Sequence, residues 1–256
     1  LCYVPGSAGE PARPYGILGR MLRSSTGSAA PDRRAPLVPP HRRGAVAVVA
    51  VLAALATAVL AWRYAGDTGG GRTDEHLADL VDMEHGLTGT VGQVLASLGS
   101  PIPVVIASAV LALLAWARRG GRGLGLVLAG PPTAMATTSL ALKPLIERTR
   151  GGELAFPSGH TTAVASLAVA AAVLLLGLRA VPRALRLAGA VGLGVLVVAV
   201  GASLVGRGYH YATDTMGAVG VALAVVLVAA LAVDAWADML ADHAPGVEPA
   251  TEVLPR

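Results

Sequence analysis

The run KPLIERTRGGELAFPSGH, residues 143–160, holds the only lysine of the chain, Lys143, and its only phenylalanine, Phe156. It lies between two strongly apolar runs and carries Lys143, Arg148 and Arg150, followed by Pro157-Ser158-Gly159-His160. Charges held between membrane spans are costly and mark function. Cations beside a Ser-Gly turn that opens a helix make a cradle for an anion, because helix N-termini and their amides attract phosphate. Gly159 allows close backbone approach, Ser158 caps the helix or donates to an oxyanion, and His160 falls in its first turn.

Outward from this stretch the chain reads as a membrane protein. Of its 256 residues 54% are apolar and 14% charged, where soluble domains carry about 25% charged residues. Six apolar runs, at 44–62, 102–117, 123–142, 161–181, 184–205 and 215–236, approach the ~20 residues needed to cross the hydrocarbon core. Five spans is the alternative count, since Pro101 and Pro103 blur the second run and Pro131-Pro132 should kink the third or delay its start. The expected fold is therefore all-α: a polytopic bundle of about six transmembrane helices. An amphipathic surface helix is expected between the first and second, where Leu77, Leu80, Val81, Leu87, Val91 and Val94 recur opposite acidic residues.

Three regions are expected: a basic disordered tail over 1–43, the membrane domain over 44–236, and an acidic disordered tail over 237–256. The formal charge of +4 sits in loops that flank spans, so it argues topology and no nucleic-acid partner. Fourteen of the twenty Lys and Arg residues fall in the N-terminal tail, 118–122, 179–186 and the C-terminal tail. The positive-inside rule places those segments in the cytoplasm and the 143–160 cradle outside. One cysteine, Cys2, excludes a disulfide framework. His76 and His85 among the acids of 67–84 read as a solvated helix face rather than a metal site. No pattern sets an oligomeric state.

A second polar group lies between the last two runs, from Ser203 through Arg207 to His210 and Asp214. His210 and Asp214 are four apart and share a helix face, and a carboxylate beside an imidazole fixes its tautomer and raises its basicity. A structural His–Asp pair is the competing reading of this segment alone.

Taken together, Lys143-x6-Arg150, Pro157-Ser158-Gly159-His160 and Ser203…His210-x3-Asp214 resemble the three-part signature of the type 2 phosphatidic acid phosphatase superfamily, in its membrane-bound bacterial branch. The resemblance implies an integral membrane lipid phosphate phosphatase that works without metal or cofactor. His210 would attack phosphorus to give a phosphohistidine, with Asp214 orienting it and His160 protonating the leaving oxygen. Lys143, Arg150, Ser158, Gly159, Arg207 and Arg148 would hold the phosphoryl oxygens of a lipid phosphate drawn from the bilayer. Two positions depart from the pattern. Gly151 replaces a proline, which should loosen the loop, and Leu204 replaces an arginine, for which Arg207, one turn on, is expected to substitute. Leu204 also motivates the alternative of an impaired relative that binds anionic headgroups without turnover. A transporter has less support, because the polar groups gather at span ends rather than at the midplane.

Overall fold

The computed structural model describes residues 35–81, 83 and 86–243. Among these, five helices are long and apolar enough to cross a membrane. They are α1 (Arg43–Tyr64), the 46-residue stretch Pro101–Ile146, α6 (Gly159–Leu176), α7 (Arg183–Gly206) and α8 (Ala212–Asp242). The second stretch begins with α4 (Pro101–Ala136), continues through a wide π turn over Thr137–Leu142 and ends in the short α5 (Lys143–Ile146).

α4 is not one straight rod. Gly120 has φ 59° and ψ −143°, a conformation open essentially to glycine. The chain reverses there. Val104, Ser108 and Ala112 of the first arm face Val127, Pro131 and Met135 of the second across a cavity of about 260 Å³. The two arms are thus antiparallel, so that the 46-residue stretch, one of five long apolar helices among the described residues, folds back on itself. The break expected at Pro131-Pro132 is instead at Gly120, and the helix runs through both prolines. Beyond them the turns widen, with the amide of Lys143 donating to the carbonyl of Thr138.

α8 is the centre of the bundle, lying along α1, α6 and α4. Its contacts fix the register. Arg43 of α1 pairs with Asp238, the Thr57 hydroxyl lies 3.4 Å from the Gly217 carbonyl, and Val233 and Val226 pack on Gly125 and Gly130. These small residues let backbones approach closely, which supplies the dispersion contacts that water-driven burial cannot give between helices in lipid. Outward-facing Val, Leu and Ile side chains remain exposed on α1, α4 and α7, as a lipid-facing surface requires.

The connection after α1 departs from expectation. In place of one surface helix there are two, α2 (Arg72–Leu80) and α3 (Gly86–Ser97). On α3 the apolar face of Leu87, Val91 and Val94 points outward, while Gly89, Gly92 and Ala96 are buried. Close packing of small residues decided the orientation of α3. On α2, Asp74 is buried rather than solvated. Asp82, Glu84 and His85 lie outside the described residues.

Both tail boundaries also shift. Leu37 and Val38 are buried and their amides donate to the Asp234 carboxylate at 2.9 and 2.8 Å, so 35–43 belong to the fold. α8 continues to Asp242, past the expected limit at 236. The remaining tail residues, 1–34 and 244–256, lie outside the described residues.

The α1–α8 seam is testable. A Cβ on Gly220 would overlap the Thr57 hydroxyl and come 3.1 Å from the Ala53 carbonyl. Gly220→Ala should lower stability by about 1–3 kcal/mol, the usual cost of overpacking. Gly194→Ala, where nothing lies within 4 Å, should not. Equal thermal midpoints for the two variants in detergent would contradict this seam.

Candidate active site

Five chain segments meet at one end of the bundle: the end of α1, α2, the loop from α5 to α6, the start of α6, and the turn from α7 to α8. The loop holds a two-residue-strand hairpin, β1 (Thr149–Arg150) with β2 (Glu153–Leu154). Gly151 and Gly152 form its turn with φ 58° and 85°, values that suit glycine. A proline at 151 is confined near −65° and could not make this turn. Gly151 therefore closes a tight hairpin rather than a looser loop. Lys143 Nζ donates to the Leu154 carbonyl at 2.7 Å and ties the hairpin to α5.

Arg148 is completely buried. Its Nη1 donates to Asp214 Oδ1 at 2.7 Å and to the Thr213 hydroxyl at 2.6 Å, and its Nη2 donates to Asp74 Oδ2 at 2.7 Å. The rings of Tyr64 and Tyr211 lie 4.3 and 4.4 Å from the guanidinium carbon. Asp74 also accepts from the Thr213 amide and hydroxyl and from the Gly71 amide. Burial pushes the Asp74 carboxyl up, but the bonds from the Thr213 amide, Arg148, the Thr213 hydroxyl and Gly71 outweigh it and hold the group below the usual carboxylate range. Arg148 thus stands behind the site, spent on two carboxylates. The expectation that it touches phosphate is corrected: a cation with no exposed surface and both terminal nitrogens engaged has none to offer a ligand.

Asp214 joins this network to the histidines. Its Oδ2 lies 3.5 Å from His210 Nδ1 and accepts from the Tyr211 amide at 3.0 Å. The histidine contact is longer than an ordinary hydrogen bond, and His210 Nδ1 has no hydrogen-bond partner among the described residues, with Asp214 the carboxylate nearest to it in the ion pairs of the site. The Asp214 carbonyl accepts from the Ser158 amide at 3.1 Å, locking the two motif segments together. Ser158 is buried and caps α6, its hydroxyl accepting from the Thr161 amide at 3.3 Å. Beside Gly159 a Cβ would meet nothing within 4 Å, so the space next to this amide is open.

His160 and His210 line one cavity of about 320 Å³, with Gln93, Ser97, Ser100 and Tyr209 on its wall. His160 is seated against Gly99, where a Cβ would come within 2.6 Å of the His160 Cβ. Lys143 is near enough to His160 and Asp214 to interact with both electrostatically. Arg150 lies over the Tyr211 ring at 4.3 Å and next to Gly208. The structure thus gathers His160, His210, Asp214, Ser158, Gly159 and Lys143, with Arg150 flanking. Leu204 is buried and its side forms part of the cavity wall. Arg207 is not on that wall: it donates to the Gly89 carbonyl at 3.1 Å and to the Tyr209 hydroxyl at 3.3 Å.

Several participants were missed in the sequence: Asp74, Thr213 and Tyr64 around Arg148, and Gln93, Ser97, Ser100 and Tyr209 at the cavity. Gln93 offered a signal, as the chain's only glutamine set in an otherwise apolar helix. Asp74 offered none, because it sits among acids that face outward.

Asp74 generates a prediction. Its folded pKa is depressed, so its contribution to stability is fully present above the ordinary Asp value of about 3.9 and is lost as pH falls through the folded value. Asp74→Asn should cost about 3 kcal/mol at neutral pH, near the lower limit for breaking a buried pair, and should lose less stability than the parent on acidification from pH 5 to 3. Thermal midpoints in detergent across that range check both; superimposable curves would remove Asp74 from the network.

A family model described as the PAP2 superfamily matches residues 122–238. The matched segment carries Lys143, both loop arginines, Ser158-Gly159-His160, Arg207, His210 and Asp214, and it omits Asp74, Gln93, Ser97 and Ser100. No curated protein and no solved structure matches the chain. Over residues 122–238 the chain is thus similar to the PAP2 superfamily, and its described residues carry multiple helices long and apolar enough to cross a membrane.

Proposed function

We propose that this chain is a membrane lipid phosphate phosphatase that acts through a phosphohistidine on His210. The observation that carries the reading is the single cavity lined by His160 and His210, with Asp214 paired to His210 and anchored from behind by Arg148. Asp214 at Nδ1 keeps the imidazole in the tautomer whose Nε2 is the nucleophile. Nε2 bonds to phosphorus as the ester P–O bond breaks, and protonated His160 gives its proton to the departing lipid oxygen. Neutral His160 then takes a proton from water, whose oxygen displaces His210 and releases orthophosphate. Lys143, Arg150, the Ser158 hydroxyl and the amides about Gly159 hold the equatorial oxygens. Fixed cations and dipoles of this kind neutralise the charge that spreads in the transition state, so the reaction proceeds without a metal ion.

Substrate candidates are phosphatidic acid, phosphatidylglycerophosphate and a polyprenyl diphosphate, whose headgroups lie where the helices end. The positive-inside balance supports an extracytoplasmic site in a plasma membrane. A reporter placed in 179–186 should then be cytoplasmic and one placed at Gly70 outside; the reverse pattern would move the site to the cytoplasmic face.

Purified protein given a panel of lipid phosphates in detergent should release orthophosphate with EDTA present. His210→Ala should abolish release. His160→Ala should retain slow turnover that recovers on substrates with good leaving groups, since the acid serves only the leaving oxygen. Lys143→Ala should lose about 10²–10³ in rate, as for removal of one oxyanion donor. Arg207→Ala in the same series sorts its role. A comparable loss makes it a phosphate contact in place of Leu204, whereas a loss under about tenfold leaves it as the tie between α3 and Tyr209. Labelled phosphate trapped on His210→Ala protein would overturn the nucleophile.

Leu204 in the cavity wall favours the second reading, a relative that binds anionic headgroups without turnover. Saturable binding of a lipid phosphate with no orthophosphate released under any condition of the panel would establish it.

A further inference from the structure

At the end of the bundle opposite the histidines, the start of α1, the Gly120 reversal, the α6–α7 loop and α8 enclose a cavity of about 440 Å³. His41, Arg42, Arg119, Arg179 and Arg186 line it, and among the described residues no Asp or Glu does. The buried and half-exposed acids at this end are already engaged. Asp234 accepts from Arg122 at 3.0 Å and from the Leu37 and Val38 amides, while Asp238 accepts from Arg43 at 2.9 Å and Arg122 at 2.7 Å. Among the described residues none of these acids lines the cleft.

Two of its cations are fixed in place. Arg119 donates to the Gly177 carbonyl at 3.0 Å and the Pro36 carbonyl at 2.7 Å, and Arg186 donates to the Leu176 carbonyl at 2.6 Å. A carbonyl partner orients the Arg186 guanidinium without cancelling its charge. Arg42 and Arg179 are exposed and make no ion pair among the described residues. The opposite wall is apolar, made by Val46, Val173, Leu176 and Leu227. Basic groups at the mouth and aliphatic side chains within match an amphiphile: an anionic headgroup with the first methylenes of its chains.

We infer that this cleft is a second lipid site, which binds the phosphate of an anionic membrane phospholipid in the leaflet away from the histidine cavity. Basic pockets between membrane helices bind such headgroups. The apolar wall selects a phospholipid over a free phosphate ion, and the cations that line the cleft select a net negative headgroup over a zwitterionic one. The inference stands on geometry independent of the catalytic reading.

Native mass spectrometry of the full chain in mild detergent, titrated with phosphatidylglycerol or phosphatidylcholine, tests it. One phosphatidylglycerol should be retained in preference to phosphatidylcholine. Arg42→Gln with Arg179→Gln should weaken retention about thirty-fold, roughly a factor of five for each cation near the headgroup. Neither side chain has a polar partner to lose among the described residues. Arg118→Gln with Arg183→Gln removes the same charge from exposed positions outside the cleft and should change retention less than threefold. Equal weakening by the two double variants would reduce the effect to diffuse charge and overturn the site. So would equal retention of phosphatidylcholine, loss of the lipid to millimolar orthophosphate, or loss of binding in His210→Ala, which would place the lipid in the other cavity.

Discussion

One buried guanidinium organises the end of the bundle where the histidines meet. Arg148 binds Asp74 from α2 and Asp214 from α8, and its faces are covered by Tyr64 from α1 and Tyr211 ahead of α8. Taking three charges out of water costs several kcal/mol per ion, repaid only when geometry is good and the remaining polar groups are satisfied. Here Thr213, Gly71 and Tyr211 supply the further hydrogen bonds to the two carboxylates. The cost is offset only when all five segments are in place. The result is a carboxylate at Asp214 held in one orientation, 3.5 Å from the ring of His210.

Two polar assemblies close the two ends of an otherwise apolar bundle. At the histidine end one arginine serves two aspartates; at the other, two arginines, Arg43 and Arg122, serve Asp234 and Asp238. Both assemblies join elements distant in the chain, and α8 contributes to both. Between them the helices meet through glycine, alanine and threonine. α8 is consequently held axially by ions at its ends and laterally by close backbone contact, so that a displacement of its first turn, where Asp214 lies, would break ion pairs as well as packing.

The six apolar runs were legible because a helix in lipid must be apolar over its length, and the paired motifs because histidine, aspartate and isolated cations are expensive there. Ser158 as the α6 cap followed from the local pattern alone, whereas His210 lies in the turn before α8, so its approach to Asp214 does not come from the shared helix face that the spacing suggested. Arg148 and Arg150 could not be told apart in this way. Arg150 ends the two-residue strand β1 and Arg148 lies just before it; residues two apart on extended backbone share a face, so only tertiary contacts distinguish them. The buried aromatic slot between Tyr64 and Tyr211 took Arg148, while Arg150 remained on the outer face of Tyr211. Asp74 was equally opaque, since one acid among several is selected for burial only by the presence of Arg148 above it.

Local composition thus determined the membrane class, the all-α character and the residue types at the candidate site, because each depends on periodicity or on the cost of a charge in lipid. The tertiary structure alone decided the reversal at Gly120, the outward turn of α3 onto its small-residue face, and the division of the cations between the site and its support. Those outcomes depend on which surfaces approach closely enough to exclude lipid and water, and residues far apart in the chain make that decision together.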